Sequence, residues 1–427
     1  MVIHVVRAGE SIASVAALYD VPPALLASLN GTPPAAPLAV GQTLVVRFPR
    51  EVHTVRAGET LFAIALRYGL SLRTLYQNNP ALGGRAAIYP GETLVLSYDD
   101  EPRRTLAVNA YAYPSVDAAL LDTVLPFLTS LTPFTYGVRA DGSLLPLADE
   151  RLLAAAGQYR TAALLHLSTL TEDGRFDSGR AEAVLQSAEV QDRLVQSILE
   201  TLRGKHYLAV DVDFEYVPPA LRAEYAAFIA RLRETLAPLG CPVIVALAPK
   251  TSAAQRGLLY EAHDYALLGE AADAVFLMTY EWGYTYGPPM AVAPLPQVRA
   301  VLDYAVREIA PEKILTGIPL YGYDWTLPFV QGETRAESLS PVEAVSRAVR
   351  HSIAIEYDET AQAPYFYYTD GAQREHAVWF EDARSIRAKL LLAEEYALAG
   401  VGFWELGRAF PQAWTVLAAL FSVETLL

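Results

Sequence analysis

The sequence predicts an α/β protein: a closed (β/α)8 barrel with a small α+β insertion near its C-terminal end, preceded by two βααβ modules. Three observations carry that expectation. A stretch near the N-terminus recurs at an offset of 49 residues. About 320 residues follow the second copy, the size of one barrel with insertions. Within them, eight short apolar runs alternate with stretches of helical period.

The repeat comes first in the chain. His4-Val5-Val6-Arg7-Ala8-Gly9-Glu10-Ser11-Ile12 matches His53-Thr54-Val55-Arg56-Ala57-Gly58-Glu59-Thr60-Leu61, and the same offset pairs Tyr19 with Tyr68 and Asn30 with Asn79. One residue of slippage then aligns Gly41-Gln42-Thr43-Leu44 with Gly91-Glu92-Thr93-Leu94. Each copy reads as strand, helix, helix, strand. Residues 2–6 and 52–55 are β-type runs ended by an Ala-Gly turn. Ser11 and Thr60 are suited to cap the helices that follow, where Ile12, Val15 and Ala16, or Leu61, Ile64 and Ala65, recur at helical spacing. Second helices are predicted over 22–29 and 71–77, and closing strands over 43–46 and 93–96.

This pattern, with Val-Arg-Ala-Gly-Glu-Thr-Leu and Tyr-Pro-Gly-Glu-Thr-Leu in the second copy, resembles a pair of LysM domains over 1–48 and 51–97. The resemblance implies a ligand, the N-acetylglucosamine backbone of peptidoglycan or chitin. It implies a groove between the loop opening the first helix and the loop entering the last strand. Carried over, those loops are Gly58, Glu59, Thr60 and Leu61, and Asn79 and Pro80 with Ile88, Tyr89, Pro90 and Gly91. The first copy has Val40 where the second has Pro90. Residues 98–104 read as a short polar linker. Residues 1–98 hold seven Arg and five acidic side chains, a net +2, so −17 of the chain's −15 falls on the remainder.

In that remainder, residues 105–427, the candidate strands are 106–111, 131–136, 162–167, 207–214, 243–248, 274–279, 314–319 and 400–404. Helical spacing recurs over 184–202, 221–236, 297–309 and 383–397. Alternating β and α with apolar strands points to a parallel sheet, and eight units favour a closed TIM barrel. The gap before the last strand is too long for one helix, so an insertion is expected over about 325–380.

The fourth strand ends Asp211-Val212-Asp213-Phe214-Glu215-Tyr216. Strand side chains alternate, so Asp211, Asp213 and Glu215 share one face, the barrel interior. Carboxyl groups stacked there desolvate and repel one another, which holds a proton near neutral pH. A protonated Glu beside Asp suits a glycosidase general acid. The alternatives are a metal site or a buried structural ladder. A metal is disfavoured because His166 is the one His at a comparable strand end, and no metal or cofactor is expected.

With Leu164-Leu165-His166-Leu167-Ser168-Thr169, Met278-Thr279-Tyr280-Glu281-Trp282-Gly283 and Val378-Trp379-Phe380-Glu381-Asp382-Ala383, this motif resembles glycoside hydrolase family 18. Within it, the chain is most similar to the spore-germination, cortical-fragment-lytic enzymes, which also carry two LysM modules. Leu208 stands where the family's motif usually begins with Asp, and Leu167-Ser168-Thr169-Leu170 replaces a frequent Ser-x-Gly-Gly. The resemblance implies retaining, substrate-assisted hydrolysis through an oxazolinium ion, outside the two-carboxylate scheme. Glu215 is then the acid and base, Asp213 the partner of the acetamido N–H, Asp211 its support and Tyr280 the donor to the acetamido oxygen. Trp404 is the apolar floor under the reacting sugar. Glu281, Trp282, Met278, Tyr111, Tyr136 and Tyr321 are candidate substrate contacts, whereas Trp325, Trp379 and Trp414 read as structural.

Composition limits the rest. Cys241 is the lone cysteine, which excludes a disulfide scaffold. The acidic charge argues against nucleic acid. No run reaches the ~18–20 uncharged apolar residues of a membrane span, and no secretory signal is expected. The expected partner is peptidoglycan or another N-acetylglucosamine polymer, acted on by a monomer associated with the spore coat, cortex or cell wall. Chitin oligosaccharides, or an inactive coat protein, are the competing readings.

Overall fold

The computed structural model describes residues 1–426. In the first repeat, strands Val2–Val5 and Thr43–Val46 pair antiparallel around helices Ile12–Leu18 and Pro23–Asn30. The second copies this with Pro49–Thr54, Leu61–Tyr68, Leu72–Asn78 and Thr93–Tyr98. Both predicted caps form: Ser11 Oγ accepts from Ser14 N at 3.2 Å, and Thr60 Oγ1 from Ala63 N at 3.1 Å. Ile12, Val15 and Ala16, and their counterparts Leu61, Ile64 and Ala65, are buried as the periodicity requires.

The repeated polar residues hold the modules together. His53 lies 3.1 Å from the Tyr68 hydroxyl and 2.7 Å from Glu59, as His4 does with Tyr19 and Glu10 at 3.2 and 2.8 Å. Asn79 donates to the Leu75 and Val95 carbonyls, both at 2.8 Å, and accepts from Val95 N at 2.7 Å. A buried amide so satisfied is costly to replace.

Eight parallel strands close into a barrel: Arg104–Ala112, Ser130–Pro133, Ala162–Ser168, Ala209–Asp213, Val243–Leu247, Ala274–Leu277, Ile314–Pro319 and Gly400–Trp404. Gly400–Phe403 against Ala107–Ala110 completes the ring. Three local expectations differ. The fourth strand ends at Asp213, so Glu215 sits in the turn beyond it. The expected helix over 184–202 is two, Ser178–Gln186 and Ala188–Lys205, because Ser187 caps the second by accepting from Val190 N at 3.3 Å. The second strand breaks after Pro133, which has no N–H to continue the ladder, and resumes at Tyr136–Gly137.

Between the seventh and eighth strands lies a five-stranded antiparallel sheet from Gly322–Thr326 to Glu375–Trp379, with helix Pro341–His351. The 98–104 segment is not a free tether. Arg47 donates to Asp100 at 2.7 Å and lies 3.7 Å from the Tyr98 ring, and Asp100 also pairs with the N-terminal ammonium. Both repeats pack on the barrel. Among the described residues, no single helix is long and apolar enough to cross a membrane.

Candidate active site

Strand parity places Asp211 and Asp213 inside the barrel, and the chain's turn after Asp213 carries Glu215 to the mouth of the same face. Asp211 has no solvent exposure and accepts a hydrogen bond from the Tyr111 hydroxyl at 2.8 Å. One oxygen each of Asp211 and Asp213 is buried without a protein hydrogen bond. Burial raises the Asp211 carboxyl to about 7, against the opposing Tyr111 hydrogen bond. Asp213 is pushed well above its ordinary range by burial and by the charges of Glu215 and Asp211. Burial and then Glu281 raise Glu215 to about 7. At neutral pH this set is therefore only partly ionised, which makes a proton available at the mouth.

His166 Nε2 stands 3.7 Å from Asp213 and 3.9 Å from Asp211. Burial lowers its pKa to about 3, so the ring is neutral and these are not ion pairs. Its Nδ1 lies 2.6 Å from the Thr135 hydroxyl, which fixes the ring. Among the described residues, no group of three or more His, Cys, Asp or Glu is arranged to hold a metal ion.

Above the carboxyls opens a cleft of about 1050 Å³. Asp213, Glu215, Tyr280, Glu281, Trp282, Met278, Tyr111 and Trp404 all line it. Tyr280 is buried and has no protein hydrogen-bond partner for its hydroxyl among the described residues. Trp404 packs at 5.5 Å on Tyr111 and 4.9 Å on Phe134, ring centre to ring centre, with the neighbouring rings tilted or edge-on to it, so that the three form an apolar wall. Glu281 adopts a positive φ of 68°. Its Oε1 accepts from the Tyr321 hydroxyl at 2.6 Å and the Tyr323 hydroxyl at 2.8 Å.

Two expected contacts fall elsewhere. Tyr136 does not reach the cleft: beyond the break in the second strand its hydroxyl donates to Asp149 at 2.5 Å, beside Tyr207 and Lys205. Phe134 takes the position that Tyr136 was expected to fill. Tyr321 is buried outside the cleft lining, where it holds Glu281. Phe134, Phe276, Phe176, Gln255, Tyr260 and Tyr284 line the cleft without having been singled out. Phe134 could have been found from the Pro133 break; loop residues such as Phe176 and Tyr260 carry no local signal.

In the second repeat, Gly58, Thr60, Tyr89, Pro90 and Gly91 are exposed, and Pro80 partly so. Leu61 is buried core, Asn79 is spent on backbone groups, and Ile88 packs on the module's interior. Glu59 serves His53, the Arg56 amide and Arg67. These four hold the loops rather than face solvent as ligand contacts.

The family comparison decides the class: the profile of glycosyl hydrolases family 18 matches residues 173–409. The chain belongs to glycosyl hydrolase family 18. The LysM profile matches residues 4–47 and 53–97. Similar proteins include a cortical fragment-lytic enzyme of Bacillus cereus, 36% identical over 98% of each chain. The cortical fragment-lytic enzyme of Bacillus subtilis (strain 168) is 42% identical over 75% of this chain and 76% of its own. The crystal structure of the Bacillus megaterium QM B1551 spore cortex-lytic enzyme SleL aligns with a TM-score of 0.84 at 36% identity, over 100% of this chain and 99% of that one.

For this family 18 glycoside hydrolase, burial and, after it, the charge of Glu281 raise the Glu215 pKa, which sets an expected pH limit. With Glu215 as the general acid, activity should decline as pH rises through its pKa of about 7. Glu281→Gln removes a negative neighbour, which lowers that pKa and moves the alkaline limb of the kcat/KM profile to lower pH. A limb that stays in place contradicts the coupling.

Proposed function

We propose that the protein is an N-acetylglucosaminidase that cleaves the glycan of spore-cortex peptidoglycan with retention, using the substrate's own 2-acetamido group as nucleophile. The observation that carries this reading is the convergence of Asp213, Glu215, Tyr280 and Trp404 around one cleft, with Asp211 buried on the same strand face beneath Asp213. Tyr280 and Asp213 orient the acetamido group against the anomeric carbon, which supplies the nucleophile at high effective concentration. Glu215 protonates the departing glycosidic oxygen and then takes a proton from the attacking water. Asp213 balances the oxazolinium charge, with Asp211 behind it. The sugar lies on Trp404, and Glu281, Trp282 and Met278 contact neighbouring units.

The relatives named for cortex lysis, together with the LysM repeats, support the polymer assignment and an association with spore or cell wall. In this reading the chain works as a monomer, with residues 1–48 and 51–97 as wall-binding units and the exposed loop residues of the second touching glycan. Mass spectrometry of digested peptidoglycan tests it. Products with N-acetylglucosamine at the reducing end are expected; muramic acid at that end contradicts the bond assignment. One observation favours chitin oligosaccharides as a second substrate: the described lining of the cleft contains Asp and Glu but no Lys or Arg, which suits a neutral glycan. Turnover of chitin tetrasaccharide at a rate comparable to cortex supports that reading.

A further inference from the structure

The two repeats match in sequence but not in surroundings. In the second, hydrogen bonds from Gly91 N to Val55 O at 2.9 Å and from Val55 N to Glu92 O at 2.8 Å bring the loop around 56–60 beside the loop around 88–91. Both loops are open, and a methyl group added at Gly58 or Gly91 would meet nothing within 4 Å. Around them stand exposed Phe62, Leu66 and Tyr89, the last 62% exposed. This repeat docks on the barrel by another side: Gln77 donates to the Pro126 carbonyl at 2.7 Å, and the Tyr159 hydroxyl to the Gly84 carbonyl at 3.2 Å.

The first repeat has Ala13, Ala17 and Ala39 at the positions of Phe62, Leu66 and Tyr89. Its corresponding loop is covered. Ile355 N donates to the Val40 carbonyl at 2.8 Å, and Ala39 is buried with Phe366, Val378 and Phe380 of the insertion. A methyl group at Gly41 would lie 1.8 Å from the Ile355 carbonyl oxygen. On the barrel side, Gln412 donates to the Thr43 carbonyl at 2.6 Å and Thr415 to the Leu29 carbonyl at 2.7 Å. One wall of this repeat is therefore occupied by its own chain.

Ile355 leads into strand Glu356–Asp358 at the edge of the insertion sheet. Successive pairing runs through Ala363–Thr369 and Glu375–Trp379 to Gly322–Thr326, whose Tyr323 donates to Glu281. We propose that the repeats divide their work: the second captures the glycan strand, and the first is a bracket that holds the insertion, and through it Glu281, against the cleft. The proposal rests on reading the second repeat as a glycan-binding unit, and it replaces wall binding by the first repeat with a scaffold role. In it, Gly41 and Ile355 act as positioning residues.

The full chain tests both halves. Tyr89→Ala and Phe62→Ala should weaken co-sedimentation with insoluble peptidoglycan about tenfold, the scale of losing an aromatic contact. Ala13→Asp and Val40→Asn, at exposed counterparts in the first repeat, should leave sedimentation unchanged. Gly41 and Gly9 have the same kind of positive φ, 83° and 81°, but no atom lies near an added methyl at Gly9. Gly41→Ala should lower turnover of a soluble N-acetylglucosamine tetrasaccharide severalfold and move its alkaline limb to lower pH, as Glu281 recedes from Glu215; Gly9→Ala should do neither. If Gly41→Ala does not fold, Gln412→Ala loosens the same repeat and should shift the limb in the same direction. Equal losses of sedimentation from both repeats, or a folded Gly41→Ala with the unaltered profile, would overturn the division. Failure of the unsubstituted chain to sediment or hydrolyse at all would instead count against the function.

Discussion

Glu215→Gln is expected to lower kcat on peptidoglycan fragments by about 10²–10⁴, the range for loss of a positioned general acid and base. The amide keeps the shape of the cleft mouth but cannot give a proton to the leaving oxygen. The loss should therefore depend on the leaving group. An aryl glycoside, whose phenolate departs without protonation, should be cleaved to its first intermediate far better than the natural glycan. Pull-down on peptidoglycan should persist, because the proposed binding loops lie in the second repeat, away from the cleft. Release of fragments at the unsubstituted rate would remove Glu215 from its role.

The same substitution has a stability signature. The Glu215 pKa is raised to about 7 from an ordinary 4.5, so the folded state binds this proton more tightly than the unfolded state. That contribution is fully present at acid pH and is lost as pH climbs through 4.5 towards 7; above 7 the buried charge costs free energy. Glutamine escapes the cost. Relative to the parent, Glu215→Gln should gain up to about 3 kcal/mol between pH 5 and pH 8. Thermal unfolding at the two pH values reads this directly.

Asp213→Asn is the second large effect, about 10²–10³ in kcat, the scale of removing one electrostatic stabiliser from a buried site. Its pattern should differ from that of Glu215→Gln. In the proposed mechanism Asp213 faces the oxazolinium, which forms whatever the leaving group, so an aryl glycoside should be impaired as strongly as a natural one. Rescue by a good leaving group would assign Asp213 to proton transfer instead. The distinction follows from position: Asp213 closes the strand inside the barrel, and Glu215 stands two residues further, at the mouth.

Much of this was readable before any coordinates. All eight barrel strands lie where apolar runs placed them, because a strand enclosed on both faces must be nearly continuous in apolar residues. The carboxyl face was legible because strand alternation is independent of context. The helix caps Ser11 and Thr60 were legible because their hydrogen bonds close within one turn. Errors arose where a residue's direction depends on distant neighbours. Tyr136 and Tyr321 were placed near strand ends correctly, yet the first turns to Asp149 and the second to Glu281. The motif marks Asn79 as a ligand contact, whereas three backbone groups consume its amide.

Local periodicity and motif spacing were enough to specify the two repeats, the barrel and the shared Asp211–Asp213 face, since each rests on interactions between residues close in the chain or on a strict alternation; Glu215 owes its place to the turn that follows the strand. Packing between distant segments settled what spacing could not express. It put Phe134 rather than Tyr136 in the cleft, clasped Glu281 between Tyr321 and Tyr323, and closed the first repeat under Ile355 while leaving the second open. Two loops that share the Gly41 or Gly91 turn thus have different surroundings. The glycine turn is common to both, but packing against Ile355 covers the first while the second stays open to solvent.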